Sequence, residues 1–358
     1  MRRQATQLIS RGGLEWIELA RLARLPWMLH AFSTRMGGAS RAPAAGLNLG
    51  FIETDSRANV QRNRRRFFRE LGAEKLLPAE LHQIHSAKVF QVVKTARGKL
   101  AYRPSGYPAP RATSKRAPQG DALITDQPGV LLCVRAADCL PVLLADPRRR
   151  AVAAIHAGWR GALAGIVEIT VGEMIRVFGS RPRDLVAAIA PSIRACCYQV
   201  GDEVVNAFCG RYAGGEKFFR AAPHDKVEDE IARRYPLLFL SKRPPGHGPE
   251  VTPTHHLDLV AVAKDQLRRA GLSASNIDTA DYCTACRTDL FFSHRKEGGG
   301  TGRMMAVIGT SNRDPRRIQG HKFSTPRTGR RPRAIRTEPR PAGVGRRKRM
   351  SAAPHRPS

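Results

Sequence analysis

The sequence predicts an α/β fold: a single domain with a mixed β-sheet and helices packed outside it. Three observations point there. Short, almost wholly apolar runs of strand length recur between residues 129 and 190, as in strands covered on both faces. Among them lies a stretch whose apolar residues fall at i+3 and i+4, the helical period. At 358 residues with 42% hydrophobic content, the chain has ample material for a core.

Taken in order, GVLLCV (129–134), LPVLLAD (140–146) and AVAAIH (151–156) are buried-strand candidates, with DPRRR a turn bearing a basic tip. After His156 the period changes. Leu163, Ile166, Val167, Thr170, Met174, Val177 and Phe178 line one face of a single long amphipathic helix, which Gly179 is placed to end. LVAAIA (185–190) is a further buried strand. Asp258 can cap a helix that buries Leu259, Val262, Ala263 and Leu267 and closes near Gly271. MMAVI (304–308) is the last strand.

Residues 1–312 are expected to form one catalytic domain. Within it, 97–119 is a Pro-rich basic insertion expected as an exposed loop, and 241–256 is a second irregular stretch. The net charge of +31 is unevenly spread: residues 313–358 hold 15 Lys and Arg against two acidic residues, leaving +18 on the first 312. This tail has almost no apolar periodicity, so it cannot offset its ordering entropy and is expected to be disordered. Its charge suits either a solvated extension or an arm that binds nucleic acid or another polyanion by counterion release.

No apolar run approaches the roughly 20 residues of a membrane helix, and the first residues lack the apolar core of a cleaved leader. Seven cysteines, an odd number without regular spacing, argue for reduced thiols rather than a disulfide scaffold. The expectation is a soluble, cytoplasmic protein. Its oligomeric state is left open, a monomer being compatible.

Chemistry gathers around ADCLPVLLADPRRRAVAAIHAGWRG (137–161). Cys139 precedes one strand-like run, and His156 ends the next. Upstream, HQIHS places His82 and His85 at the head of another apolar run. A thiolate and imidazoles from separate strand ends suit a three-ligand zinc site with an open fourth position. The same Cys and His would equally serve as nucleophile and base, and spacing alone does not separate the two.

FSTRMGG (32–38), HQIHS (82–86), GDALIT (120–125), ADCLPVLLAD (137–146), IHAGWRG (155–161), APSIRACCYQVGDEV (190–204) and CTACRTDLFFSHRKEGGGTGRMMAVI (283–308) occur in this order. Together they resemble the laccase-domain, or multicopper polyphenol oxidase, family, over roughly residues 12–310. Its members are now described as zinc-containing purine nucleoside phosphorylases with adenosine deaminase and methylthioadenosine phosphorylase activity. The resemblance implies a layered fold of the kind compared with deamidating toxins. It implies zinc as cofactor, held by His85, Cys139 and His156, with His82 a neighbour. Asp121 and Asp138 would orient ligands or substrate in catalysis. Arg35, Arg160 and Arg295 would supply guanidinium forks for phosphate. The partners implied are purine nucleosides and phosphate.

Two departures bear on this expectation. The chain lacks the H-x-E…P-C-x-x-C signature of zinc deaminases, so deamination would rest on a different scaffold. Its 11 histidines contain no H-x-H pair, so the oxidase name finds no multinuclear copper site in the sequence. CTAC (283–286) has the spacing of a metal knuckle but no second C-x-x-C partner, so it is read as structural thiols near the active face, with a second zinc as the minor alternative; ACC (195–197) is read as packing rather than a redox pair. An alternative within the same resemblance is a Cys–His hydrolase editing peptidoglycan precursors, with Cys139 as nucleophile and His156 as base.

Overall fold

Two sheets stacked face to face occupy the centre of the protein, which a computed structural model describes over residues 6–106, 117–221 and 255–310. All described residues lie in one compact unit. The first sheet runs β1 (Thr6–Arg11), β2 (Leu14–Leu19), β3 (Met28–Ser33), β16 (Met304–Thr310), β8 (Val130–Ala136) and β4 (Leu77–Ala79). It is antiparallel except for the β8–β4 pair. The second runs β15 (Ile277–Thr279), β11 (Val186–Ile189), β9 (Leu140–Asp146), β10 (Ala151–Ala157), β7 (Ala122–Thr125), β5 (Val89–Lys94) and β6 (Leu100–Pro104). Its β11–β15 and β5–β7 pairs are parallel and the others antiparallel. A small sheet of β12 (Gln199–Val200), β14 (His255–Leu257) and β13 (Phe219–Ala221) completes the set.

Side-chain alternation explains the layers. Successive residues of a strand face opposite ways. Val130, Leu132 and Val134 of β8, with Ala306 and Ile308 of β16, meet Leu143 and Ala145 of β9 and Val152 and Ala154 of β10 between the sheets. The opposite face of the first sheet, with Leu131, Cys133, Met305 and Val307, packs on Phe67 and Leu71 of α2 (Arg57–Leu71). The opposite face of the second, with Val142, Leu144, Ala153 and Ile155, packs under α4 (Ile166–Phe178) and α6 (Leu259–Arg269). The order is therefore helix, sheet, sheet, helices. A strand covered on both faces has no need of polar alternation, which is why β9 and β10 are buried at every position.

The expected α/β class is present, with the strands of the described residues divided among three sheets rather than gathered in one. Strands β8, β9, β10, β11 and β16 coincide with the apolar runs, and Asp258 caps α6 by accepting from Ala261 N at 3.0 Å. Two expectations are corrected. The helix after His156 is not continuous: α3 (Trp159–Leu163) and α4 are separated at Gly165, whose φ of 82° lies in the left-handed region. Carbonyls freed by that break are satisfied from elsewhere, Ala162 O by Gln266 Nε2 at 2.6 Å and both Ala162 O and Leu163 O by the Tyr212 hydroxyl. The segment 97–119 is not all loop, because Leu100–Pro104 forms edge strand β6 against β5, burying Ala101 and Tyr102. Residues 107–116 of that segment, 241–254 of the second irregular stretch and the whole tail lie outside the described residues.

His30 in β3 sits in this interior as a neutral base. Its Nε2 accepts from Leu19 N at 2.9 Å, and burial lowers its pKa to about 3. An unfolded histidine titrates near 6.5, so below that pH the unfolded chain takes up a proton that the fold refuses. The contribution to stability is full above pH 6.5 and lost as pH falls toward 3, reaching about 2 kcal/mol at pH 5. Urea unfolding at pH 7 and pH 5 should show His30→Gln losing that much less stability than the wild type on acidification; parallel losses would remove His30 as the cause.

Candidate metal centre

Three side chains converge where two loops cross from the first sheet to the second. His85 lies on the connection from β4 to β5, and Cys139 on the connection from β8 to β9. His156 stands near the end of β10, and by alternation it shares the face of Val152 and Ala154, directed into the gap between the sheets. The coordinating atoms of the three lie within 4.8 Å of one another. Cys139 Sγ is 3.6 Å from His85 Nε2, and the two imidazole rings meet edge to face at 5.0 Å.

The loops are held from both sides. Gln83 exchanges hydrogen bonds with the backbone of Arg135 in β8, at 2.7 and 2.9 Å. Asp121, wholly buried at the head of β7, accepts from His85 N at 3.0 Å, from Ser86 N at 2.6 Å and from the Ser86 hydroxyl at 2.7 Å. The same carboxylate is 2.9 Å from His156 Nδ1. With that nitrogen committed, His156 Nε2 is left for the site, the usual arrangement of a metal-binding histidine. His85 and Asp138 adopt φ of 59° and 86°, strained values for non-glycine residues. Gly158 supplies clearance, since a Cβ there would stand 2.6 Å from His85 Cδ2 and 3.1 Å from Cys139 Sγ.

The charges reinforce one another. Burial raises the Cys139 thiol, but the neighbouring imidazolium of His156 and hydrogen bonds from both histidines outweigh it and bring the pKa down to about 6. Burial likewise opposes charge on His156, yet the Cys139 thiolate and Asp121 lift it to about 9. Asp121 is held near 2 against its own burial by the bonds from His156 and Ser86. One thiolate and two imidazoles, with no fourth His, Cys, Asp or Glu ligand beside them among the described residues, fit a zinc ion of the catalytic kind. The site's residues also fit a thiol nucleophile with its base.

The other candidates fall into two groups. Asp138 accepts from Thr284 Oγ1 at 2.6 Å and from Arg295 N at 2.7 Å, bringing Arg295 to the edge of the site. The Arg295 guanidinium lies over Tyr198 and donates to Gln199 O, while the exposed Arg160 lies over Trp159. The charges of Arg160, Arg295 and Cys139 all bear on Tyr198, so they share one neighbourhood. Arg35 is placed differently: its guanidinium donates to Thr288 O and Glu297 and stacks on Phe292, joining segments of the fold. His82 is exposed and stands outside the three. Ser86, Thr284, Tyr198 and Arg303 lie within the HQIHS, CTAC, ACCYQV and GTGRMM stretches, but no spacing in the sequence marks them. Arg303 is half-buried, and its charge is felt with those of Cys139 and Asp138.

Comparison with known proteins agrees with this architecture. Residues 29–311 match the family model described as multi-copper polyphenol oxidoreductase laccase. A purine nucleoside phosphorylase of Geobacillus stearothermophilus is 34% identical over 283 residues, covering 77% of this chain and 88% of its own length. One from Deinococcus radiodurans is 34% identical over 286 residues, covering 80% and 90%. The crystal structure of the Bacillus licheniformis hypothetical protein YfiH superposes with a TM-score of 0.67 at 28% identity, covering 86% of this chain and 100% of that one.

Two outcomes follow from the geometry. In chelator-treated protein, alkylation of Cys139 mapped by peptide mass spectrometry should rise through about pH 6 and then level; a midpoint near the ordinary thiol value of about 8.5 would show that the imidazolium does not act on it. Gly158→Ala should weaken zinc affinity roughly 10- to 100-fold, the range seen when support of a ligand is disturbed, as read by competition with a chromogenic chelator.

Proposed function

The chain belongs to the multi-copper polyphenol oxidoreductase laccase family, and from that premise we propose that it is a zinc-dependent purine nucleoside phosphorylase with adenosine deamination as a second activity. The observation that carries this reading is the convergence of His85, Cys139 and His156, with Arg160 and Arg295 in the same neighbourhood around Tyr198, in a chain whose 34%-identical relatives bear the phosphorylase name. A cluster of several coppers has less support. Among the described residues only two groups of His, Cys, Asp or Glu are close enough to hold a metal, and the second contains no histidine.

In this reading His85, Cys139 and His156 hold the ion, which when bound supplies Lewis acidity to the reacting group. Arg160 and Arg295 attract phosphate to the mouth of the site, and Arg295 is oriented for that work by Tyr198 and Gln199 O. An oxygen of hydrogen phosphate forms the new bond to the ribose carbon as the bond to the purine nitrogen breaks, and the base leaves with the proton that the phosphate gives up. Asp121 keeps the His156 ring in one tautomer throughout. Asp138 fixes the backbone of Arg295 beside Cys139.

The Asp121–His156–Cys139 series also resembles a thiol hydrolase, and the lowered thiol pKa favours that second reading. The presence of His85 at 3.6 Å from the sulfur weighs toward a metal, since a nucleophile needs only one base.

The test is turnover of adenosine and inosine by the purified chain, with and without phosphate, separating base, inosine and ribose 1-phosphate. Phosphate-dependent base release that vanishes in His85→Ala is expected. Metal-free protein whose Cys139 forms an acyl adduct with activated amides would transfer the function to the hydrolase reading. Arg295→Ala is expected to raise the KM for phosphate about tenfold or more with little change for nucleoside, matching loss of one charge-assisted hydrogen bond. Equal effects on both substrates would remove Arg295 from phosphate binding.

A further inference from the structure

A second convergence of sulfur atoms lies on the segments that follow β11 and β15. Cys196 and Cys197 stand between β11 and β12, and Cys283 and Cys286 on the turn after β15. The two segments are docked by a bridge between Ser192 and Cys283, by Thr284 N donating to Ser192 O at 3.0 Å, and by Arg194 Nε donating to Tyr282 O at 3.1 Å. The four sulfurs lie within 4.8 Å of one another, with Cys197–Cys286 at 3.3 Å and Cys196–Cys286 at 3.6 Å. None of them is in a disulfide.

Packing is a poor account of this cluster. Cysteine as a small apolar filler belongs in the interior, whereas Cys196 and Cys286 are exposed and Cys197 is half-buried. The distances do suit an ion: four thiolates around zinc, each at ~2.3 Å, form a tetrahedron with edges of ~3.8 Å. Backbone N–H groups of Arg194 and Cys286 point at the Cys283 sulfur, an arrangement that satisfies the lone pairs of a liganded thiolate.

We propose that Cys196, Cys197, Cys283 and Cys286 form a closed four-thiolate zinc site, separate from the His85–Cys139–His156 centre. Four sulfur ligands leave no open position, so the site is structural. Zinc replaces the four thiol protons, which pass to solvent. It clamps together two segments 90 residues apart in sequence. Thr284, inside the Cys-x-x-Cys turn, donates to Asp138 at 2.6 Å. The clamp therefore holds in place the residue that immediately precedes Cys139.

The test counts zinc in the purified full-length chain, in Cys283→Ser/Cys286→Ser and in His85→Ala/Cys139→Ala. The paired serine variant is expected to hold one zinc fewer than wild type, and the His85→Ala/Cys139→Ala variant to keep that zinc whether or not the other centre is ever loaded. On the wild type itself, native alkylation followed by peptide mapping should spare Cys196, Cys197 and Cys286 until a zinc chelator is added. Prompt alkylation of the three without chelator overturns the site. So does a disulfide joining the two segments in an unreduced digest of freshly purified protein. The wild-type arm decides the matter even where the serine variant fails to fold.

Discussion

Asp121 is a carboxylate with no exposed surface, and such a group is tolerated only when every part of its charge is matched. The partners it has recruited are the backbone of His85 and Ser86, the Ser86 hydroxyl and the ring of His156. Its own carbonyl accepts from His156 N at 2.7 Å, so strand β10 is registered to the same residue twice. A single buried negative charge thus ties a crossing loop to a strand end, holds the His156 ring by its Nδ1 and favours the charged form of that ring. Removing it would leave the buried His156 ring and several partly buried donors without their acceptor, a larger penalty than the net worth of one hydrogen bond.

The layered core determines where such a site can be. Both central sheets are covered on both faces, so neither offers a solvent-facing surface on which to build chemistry. The chain passes from one sheet to the other at strand ends. The β4–β5 and β8–β9 connections both make that passage, and β10 ends beside them. A strand end carries His156, while the loops that carry His85 and Cys139 are pinned, the first by Gln83 and Asp121 and the second by Asp138.

Much of this was legible in the chain, for physical reasons that also explain the gaps. Strands β9 and β10 announce themselves because double burial makes them continuous apolar runs. Helix α2 does not: RANVQRNRRRFFREL carries six arginines, and one of its buried positions is Asn63, satisfied by Ala39 N, Ser40 Oγ and Asn48 O. A helix whose inner face uses polar bonds leaves a weak apolar period. The break at Gly165 was hidden because its neighbours keep helical spacing and the compensating groups, Tyr212 and Gln266, are remote in sequence. At the site, residue types and motif order pointed to His85, Cys139 and His156, but nothing in the spacing could tell that the Arg35 guanidinium is committed to Thr288 and Glu297 while the backbone of Arg295 is bonded to Asp138, next to Cys139 in sequence. The meeting of Cys196 and Cys197 with the Cys-x-x-Cys turn was equally invisible, because the second pair is not of C-x-x-C form.

Two of the three described non-glycine residues with left-handed backbone, His85 and Asp138, belong to the site; the other, Arg150, is at a hairpin tip. A side chain in that conformation costs about 1–2 kcal/mol that glycine would not. At the exposed His85 heat resistance and chemistry select in opposite directions, whereas the buried Asp138 offsets its strain by accepting from Thr284 and Arg295. A library screened only for thermal tolerance would enrich glycine at 85 and return sturdier, inert proteins, so selection for robustness in this scaffold has to be coupled to turnover at every round.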